Sequence, residues 1–209
     1  MEETRPGQYM PVFEDERGLY LFNSKELALF EFVSDLEKAG VNSIKIEGRM
    51  KSIHYIATVV SFYRQVLDGK TFTWEEGLEL LHRVPSRGYS TGFMKGKIDD
   101  GDYSRESSTS QSESVFVGNV TEETMDGRQV VRVRNTIAAG EELEVLTPDG
   151  ALAAERMPDL LTTSLGDRVT SANNSQSILL DKPLQPYAIL RRVGKAGEQK
   201  SHEFLKHET

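Results

Sequence analysis

AGVNSIKIEGRMKS, residues 39–52, is the stretch of this sequence that decides how its first part folds. Gly40 near its start suits the left-handed conformation that ends many helices. The apolar residues between Val41 and Ile46 predict a short strand. Ser52 at its end can cap the next helix. The stretch therefore predicts a helix, a strand and a helix, which is one step of a parallel α/β fold.

The segments on either side of this stretch carry the apolar spacing of helices. The first helix is predicted after Ser24, and its apolar residues recur at three-residue steps: Leu27, Phe30, Val33 and Leu36. The second helix has one apolar stripe, which is formed by Ile53, Ile56, Ala57, Val60, Tyr63 and Leu67. A hairpin is predicted between Tyr9 and Phe22. Because two helices and one strand cannot cover both faces of a parallel sheet, we interpret residues 1–95 as the remainder of a larger domain.

Charged residues gather where the predicted strand ends. They are Lys45, Glu47, Arg49 and Lys51. Ligands of parallel α/β folds sit beyond the carboxyl ends of the strands, so this cluster is a candidate binding site for a carboxylate or a phosphate. Arg49 would bind the anion with two parallel hydrogen bonds, and Glu47 would orient Arg49. An internal salt-bridge network that closes the end of a barrel explains the same residues equally well.

The rest of the chain divides by composition. Residues 96–114 place six serines in the eleven positions from Ser104 to Ser114, which predicts a flexible linker. Residues 115–195 alternate short apolar runs with turn signals, and this predicts a small, mostly antiparallel β-barrel. The strand candidates are residues 115–120, 129–134, 142–147, 151–156, 177–180 and 187–193. Residues 196–209 are predicted to be a polar tail.

Two of the predicted strands are rich in arginine. The candidates for RNA contacts are Arg128, Arg132, Arg134, Arg191 and Arg192. Arginines aligned on a strand can bind RNA phosphates as a basic stripe. A solvated strand face with cross-strand pairs to Glu142 and Glu144 explains the same residues. The formal net charge of −8 favours this second interpretation.

Composition excludes several classes of chemistry for these 209 residues. The sequence contains no cysteine, so disulfides, thiolate nucleophiles and cysteine-held metal clusters are excluded. His54 and His82 fit no metal-binding spacing, and we interpret both as surface or interface histidines. Trp74, at a predicted helix start, is interpreted as a core or hinge residue. No apolar run reaches the roughly 18 residues of a membrane span, and the first residues lack the features of a secretory signal. We therefore expect a cytoplasmic protein without a membrane partner.

Several segments resemble peptidase family U32 in their order and spacing. They are residues 11–18, 21–27, 39–52, Tyr55, Tyr63-Arg64 and residues 87–93. Residues 115–195 resemble, more weakly, the C-terminal barrel of that family. The resemblance implies an α+β fold, in which a short strand and helix segment from the end of a TIM-like barrel is followed by the small antiparallel β-barrel.

The resemblance also has implications for function and cofactors. The family is named after collagenase-like proteases, and relatives act in RNA hydroxylation, including that of the wobble uridine of tRNA. Several relatives hold an iron–sulfur cluster through four cysteines, three of them upstream of the region that resembles this chain. The fourth falls in the segment that matches residues 24–29, where this sequence has Ala28. The resemblance therefore implies no cofactor in this chain and a cluster only in a full-length parent.

From the resemblance we expect the C-terminal portion of a longer protein that acts in tRNA wobble-uridine hydroxylation. Lys45, Glu47 and Arg49 would line the barrel mouth, and the β-module would help to hold tRNA. The other expected partner is the N-terminal domain of the same protein. The alternatives are a collagenase-like peptidase, with this part binding substrate, and a protein–protein interaction module. Because no nucleophile–base pair or metal cluster can be assembled from these residues, the isolated chain is predicted to have no catalytic turnover.

Overall fold

The computed structural model describes the backbone of residues 13–15, 18–20, 23–97, 103–104 and 112–194, and the side chains of residues 25–97 and 112–194. The chain divides into two compact units. The first contains the described residues up to Lys45 together with Val66–Ser112, and the second contains Ile46–Gln65 together with the described residues from Glu113 onward. The second unit is therefore assembled from two separate parts of the sequence. Most of the predicted linker and the whole predicted tail lie outside the described residues, and the predicted domain boundaries stay predictions.

Three α-helices and several short strands precede residue 112. The helices are α1 (Val33–Lys38), α2 (Ile53–Leu67) and α3 (Trp74–Leu81). The strands are β1 (Phe13–Asp15), β2 (Gly18–Tyr20), β3 (Asn23–Ser24), β4 (Glu26–Leu27), β5 (Tyr89–Ser90) and β6 (Tyr103–Ser104). β1 and β2 form an antiparallel hairpin, which confirms the predicted hairpin as far as the described residues go. β3 pairs antiparallel with β6, and β4 pairs parallel with β5.

The first helix begins later than the apolar spacing predicts. The predicted start after Ser24 is wrong because the next residues belong to β4, where the N–H of Glu26 donates to the carbonyl of Gly88 at 2.8 Å. A 3₁₀ turn over Phe30–Phe32 then leads into α1. The predicted end of the helix is confirmed, since Gly40 has a φ of 91°.

The predicted strand between Val41 and Ile46 is wrong, because residues 41–48 form no regular secondary structure. A strand needs a neighbour for its backbone N–H and C=O groups. The described residues offer no parallel ladder beyond the short β4–β5 pair. Ser52 does cap α2, since its Oγ accepts a hydrogen bond from the N–H of Tyr55 at 3.2 Å. Within the described residues there is thus a capped helix but no barrel strand before it.

Trp74 begins α3 and packs inside the first unit. Thr73 and Glu76 form a capping box at the start of this helix. The Trp74 ring stacks on that of Phe30 with the centroids 5.3 Å apart, and the ammonium group of Lys95 lies 5.2 Å from the Trp74 centroid. The Trp74 side chain is half-buried, so its interpretation as a core or hinge residue stays a prediction. No helix in the described ranges is both long and apolar enough to cross a bilayer.

Antiparallel strands form most of the second unit. They are β7 (Ser114–Met125), β8 (Arg128–Val133), β9 (Ile137–Ala138), β10 (Glu142–Leu146), β11 (Leu152–Arg156), β12 (Leu161–Thr163), β13 (Arg168–Val169), β14 (Ser171–Ala172), β15 (Ser177–Leu180) and β16 (Ile189–Val193). Eight of them form one sheet in the order β11-β10-β16-β7-β8-β15-β12-β13, and β9 pairs with β14. The mostly antiparallel module is confirmed. The predicted closed barrel is wrong for the described residues, because no ladder joins β13 to β11.

Local sequence signals explain how this sheet is built. Asp126 and Gly127, with φ values of 51° and 74°, form the turn between β7 and β8, as the Asp-Gly pair predicts. Val131 and Val133 are buried while Arg132 between them is exposed, so β8 has one buried face and one solvated face. The core against which the sheet packs is formed by Val117, Val120, Val131, Val133, Ile137, Leu143, Val145, Met157, Leu161, Ala172, Ile178, Leu180, Ala188 and Leu190.

Candidate functional site

Arg132 is an exposed basic residue in the middle of the sheet. It lies on β8, directly across from Asn119 of β7 and from Ser177 of β15. Arg134 follows just after β8 on the same side, and its Nε donates to Oδ1 of Asn119 at 3.5 Å. Neither guanidinium has a carboxylate partner within the part of the chain that the structure describes. Two arginines without carboxylate partners, beside an amide and a hydroxyl, are donors that suit a phosphate.

The other three candidates for RNA contacts already form ion pairs within the chain or are buried. Arg128 lies 3.5 Å from a carboxylate oxygen of Asp126. Arg192 forms an ion pair with Glu141. Arg191 is only 1% exposed. A guanidinium at this depth does not suit an RNA contact, so the pair on β8 is the better placed group.

Arg191 lies at the centre of a buried polar cluster between β16 and α2. Its Nε donates to Oε1 of Glu144 at 2.6 Å, which confirms the predicted cross-strand pairing with this glutamate. Its Nη1 donates to Oγ1 of Thr58 at 3.3 Å and lies 3.5 Å from Nε2 of His54. The His54 ring also stacks on Phe116, with the centroids 5.5 Å apart. The cluster fastens one face of α2 to the sheet of the second unit.

His54 is neutral within this cluster. Burial, and after it the positive charge of Arg191, lowers the pKa of His54 from 6.5 to about 4. The neutral ring can accept a hydrogen bond at Nε2 from the guanidinium. The surface interpretation of His54 is wrong, because the side chain is almost fully buried. The sequence contains a signal for this buried polar face. His54 and Thr58 are one helical turn apart among apolar residues, so their polar groups lie on one face of the helix.

Helix α2 buries a different face from the predicted one. Tyr55, Val59 and Phe62 are buried together with His54 and Thr58. The predicted stripe faces solvent instead: its exposed members are Ile53, Ile56, Val60 and Leu67. Because apolar residues occur on both sides of the helix, their spacing alone does not show which side the sheet covers.

The candidate ligand-binding residues lie on the irregular segment before α2. Lys45, Glu47 and Arg49 are exposed. Lys51 is partly buried, and its ammonium group lies 4.6 Å from the ring centroid of Tyr55. Because this segment is not a strand, strand alternation does not determine how these side chains are arranged. Their role in binding a ligand stays a prediction.

Ala28 occupies the position at which the resemblance places a cluster cysteine. Its methyl group is buried and offers no metal ligand. The sequence has no cysteine, and among the described residues no three His, Cys, Asp or Glu side chains come together as a metal site. Iron–sulfur clusters are held by thiolates, so the residues of this chain do not fit one.

Family models match both parts of the sequence. The model described as peptidase family U32 matches residues 1–103, and the model described as peptidase family U32 C-terminal domain matches residues 112–191. The C-terminal domain of a U32 peptidase from Geobacillus thermoleovorans, solved as a selenomethionine variant, is 23% identical with a TM-score of 0.31. That likeness covers 37% of this chain and 99% of the solved one.

Named relatives give the same family. The chain is 41% identical over 154 residues to tRNA hydroxylation protein P of Escherichia coli (strain K12), covering 71% of this chain and 34% of that relative. It is 33% identical over 204 residues to tRNA hydroxylation protein P of Haemophilus influenzae, covering 91% of this chain and 43% of the relative. It is 29% identical over 89 residues to a collagenase of Porphyromonas gingivalis (strain ATCC BAA-308 / W83), covering 40% of this chain and 22% of that relative.

The chain spans less than half the length of these relatives. The two family models nevertheless match consecutive parts of the sequence and together account for most of it. The motifs between residues 11 and 93 all lie within the first of these matches. On this evidence the chain belongs to peptidase family U32.

Proposed function

We propose that this chain is the C-terminal portion of a U32 protein that acts in hydroxylation of the wobble uridine of cytoplasmic tRNA. The observation that carries the proposal is the 41% identity to tRNA hydroxylation protein P of Escherichia coli. The tRNA hydroxylation protein P of Haemophilus influenzae and the tRNA hydroxylation protein P1 of Bacillus subtilis each match 91% of this chain, which supports the same function. The chain covers only part of each relative, so the reaction belongs to the complete protein.

The second unit would act in this protein as an accessory surface for tRNA. The formal net charge of the chain is −8, so non-specific attraction to a polyanion is weak and contacts must be local. Arg132 and Arg134 supply such a local group, because they lie together beside Asn119 and no carboxylate of the described residues neutralises them. Contacts of this type go to phosphates and hold RNA in position without reading its bases.

The N-terminal part of the chain would complete the catalytic part. In this proposal residues 1–95 close a TIM-like barrel whose other strands belong to the rest of the protein, and Lys45, Glu47, Arg49 and Lys51 lie at its mouth. The absence of a strand over residues 41–48 is consistent with a segment whose neighbouring strands lie outside this chain. An iron–sulfur cluster, where a complete U32 protein holds one, would be ligated entirely by residues outside this chain.

The test is to delete the complete gene and to measure modified wobble uridines in bulk tRNA by mass spectrometry. We expect the hydroxylated nucleosides to disappear in the deletion strain and to return with the intact gene. A gene that carries Arg132→Gln and Arg134→Gln should restore them only in part. A gene that carries Arg156→Gln is the matched control, because Arg156 is already paired with Asp159. Unchanged wobble uridines in the deletion strain would remove the proposal.

A collagenase-like peptidase is the second candidate. The observation that favours it is the 29% identity to a collagenase of Porphyromonas gingivalis over 89 residues. In that case this chain would contribute substrate binding and the complete protein would cleave denatured collagen. Incubation of the purified complete protein with gelatin, followed by gel electrophoresis, separates the two candidates. Intact gelatin would count against the peptidase without affecting the tRNA proposal.

A further inference from the structure

Strand β11 is an open edge of the eight-stranded sheet. It lies at one end of the strand order, and among the residues that the structure describes β10 is the one strand that pairs with it. Its side chains face solvent on both sides of the sheet: Glu155 is partly buried, and the exposed members are Leu152, Ala153, Ala154 and Arg156. An edge strand of this kind offers its outer backbone groups to a further strand.

The ladder between β10 and β11 shows which backbone groups point outward. At one end of the ladder the N–H of Thr147 donates to the carbonyl of Ala151 at 2.9 Å. At the other end the N–H of Met157 donates to the carbonyl of Glu141 at 2.8 Å, and the register between these two bonds is continuous. Because hydrogen-bonded and non-hydrogen-bonded pairs alternate in an antiparallel ladder, every second residue of β11 bonds to β10. The residues whose N–H and C=O groups point away from β10 are Leu152, Ala154 and Arg156.

The two ends of the sheet differ in how well they are protected against further strands. β13, at the other end, has two residues, and one of them is the exposed Arg168. Short edge strands and exposed charges prevent association between strands. β11 has five residues, contains no proline and no bulge, and begins with three exposed apolar residues, Leu152 to Ala154. The edge at β11 therefore lacks the protection that the edge at β13 has.

The sequence of β11 is complementary to a second copy of itself. Its outward residues are symmetric about Ala154, so an antiparallel pair of β11 strands places Ala154 opposite Ala154 and Leu152 opposite Arg156. The facing pairs then supply about six backbone hydrogen bonds. No like charges meet in this register, because Glu155 faces Ala153. A register centred on Arg156 would instead place two guanidinium groups opposite each other, which is destabilising.

Pairing through β11 also gives an assembly that stops at two chains. Among the described strands of the large sheet, each chain has one unprotected edge, so a twofold pair uses both of these edges at once. The sheet edges that remain are the two β13 strands, which are short and charged. A contact between identical surfaces closes in this way, whereas a head-to-tail contact that does not close continues into a filament. A second copy of the chain is thus an occupant that leaves no open edge.

We propose that β11 is a dimerisation edge, through which two copies of this chain pair antiparallel about Ala154. In the dimer the two eight-stranded sheets become continuous. This inference is independent of the tRNA reaction. A strand of five residues makes a small contact, so the dimer is weak and its fraction rises with the concentration of the chain.

The first test measures the oligomeric state of the chain by sedimentation equilibrium over a range of concentrations. We expect the wild type to shift from monomer to dimer as the concentration rises. Ala154→Pro removes an outward N–H, so it should abolish the dimer and leave the melting temperature unchanged, since an edge strand tolerates proline where its N–H faces solvent. Ala153→Pro is the contrast, because it removes a hydrogen bond to β10 and should lower the melting temperature. A dimer that survives Ala154→Pro uses another surface and would overturn the proposal.

The second test examines the register by cross-linking. The sequence has no cysteine, so each variant carries a single thiol. Ala154→Cys places two thiols opposite each other, with facing Cα atoms about 5.5 Å apart, and oxidation or a short bis-maleimide should give a covalent dimer. Leu165→Cys, at the exposed tip of the β12–β13 turn, is the matched control and should stay monomeric. Equal cross-linking of both variants, or a wild-type chain that is monomeric up to about 1 mM, would overturn the proposal.

Discussion

The guanidinium of Arg191 donates a hydrogen bond to the carboxylate of Glu144 on the neighbouring strand, with 2.6 Å between Nε and Oε1. The two residues are register partners on β16 and β10. Arg191 is almost completely shielded from water, and this carboxylate balances its charge. The same guanidinium contacts Thr58 and His54, so it links the two strands to α2.

Removal of the carboxylate should destabilise the second unit strongly. Glu144→Ala leaves a buried guanidinium without its counter-charge, and we expect the free energy of unfolding to fall by about 3 kcal/mol. Chemical denaturation followed by circular dichroism measures this change. Asp159→Ala is the control, because the Arg156–Asp159 pair is exposed on both sides and should contribute at most about 1 kcal/mol. Equal losses for both variants would show that the buried pair has no special role.

Because burial keeps His54 neutral in the folded state, the free energy of unfolding of this unit should fall in mild acid. Its pKa is 6.5 in the unfolded chain and about 4 in the folded one, so between these values the unfolded state binds more protons. The stabilising contribution is therefore complete above pH 6.5 and is lost as the pH falls towards 4, with a total of about 3 kcal/mol. Urea denaturation at several pH values should show a steep slope for the wild type. His54→Gln cannot titrate, and its slope should be shallower over this window. Parallel slopes would contradict the assignment.

The paired arginines on β8 should give tRNA binding a measurable salt dependence. Each of Arg132→Gln and Arg134→Gln removes one phosphate donor, so each should weaken binding and reduce the slope of log K against log salt by about 1. Fluorescence anisotropy with labelled tRNA at several salt concentrations measures both quantities. Arg156→Gln provides the control for a simple change in net charge. If the two β8 variants bind tRNA as the wild type does, the accessory RNA-binding role is wrong and an interaction module becomes the better interpretation.

Replacement of Gly77 in α3 by alanine should destabilise the protein, although this replacement usually stabilises a helix. Gly77→Ala normally favours a helix by about 1 kcal/mol. Here the added methyl group would lie 2.3 Å from the ring of Phe30, which is buried and stacked on Trp74. Overpacking of this kind costs about 1–3 kcal/mol, so we expect a lower melting temperature. Phe30→Leu removes the clashing atoms, and in that background Gly77→Ala should cost less. An equal effect in both backgrounds would exclude the ring as the cause.

The sheet of the second unit could be predicted from sequence because its signals are local. The Asp126-Gly127 turn and the alternation around Val131 and Val133 depend only on residues a few positions apart. The closure of the sheet could not be predicted in the same way. It depends on whether β11 and β13 meet, and those strands belong to distant hairpins.

The N-terminal part of the chain and the site are harder to predict, because the deciding contacts are non-local. The apolar run from Val41 to Ile46 has the composition of a strand, but a strand also needs neighbouring backbone. The buried face of α2 does not follow from apolar spacing for a related reason. Only the position of Arg191, far along the chain, reveals why His54 and Thr58 face the sheet and Val60 does not.

The polar contacts between Arg191 of β16 and helix α2 also constrain the order in which the chain folds. Thr58 and His54 contact a residue that follows them by 133 and 137 positions, respectively. At ordinary rates of synthesis, a ribosome needs roughly ten seconds to make that much chain. During this time α2 lacks its sheet, and its apolar residues are open to aggregation or to chaperones. The last strand that the structure describes, β16, therefore determines when helix α2 becomes native.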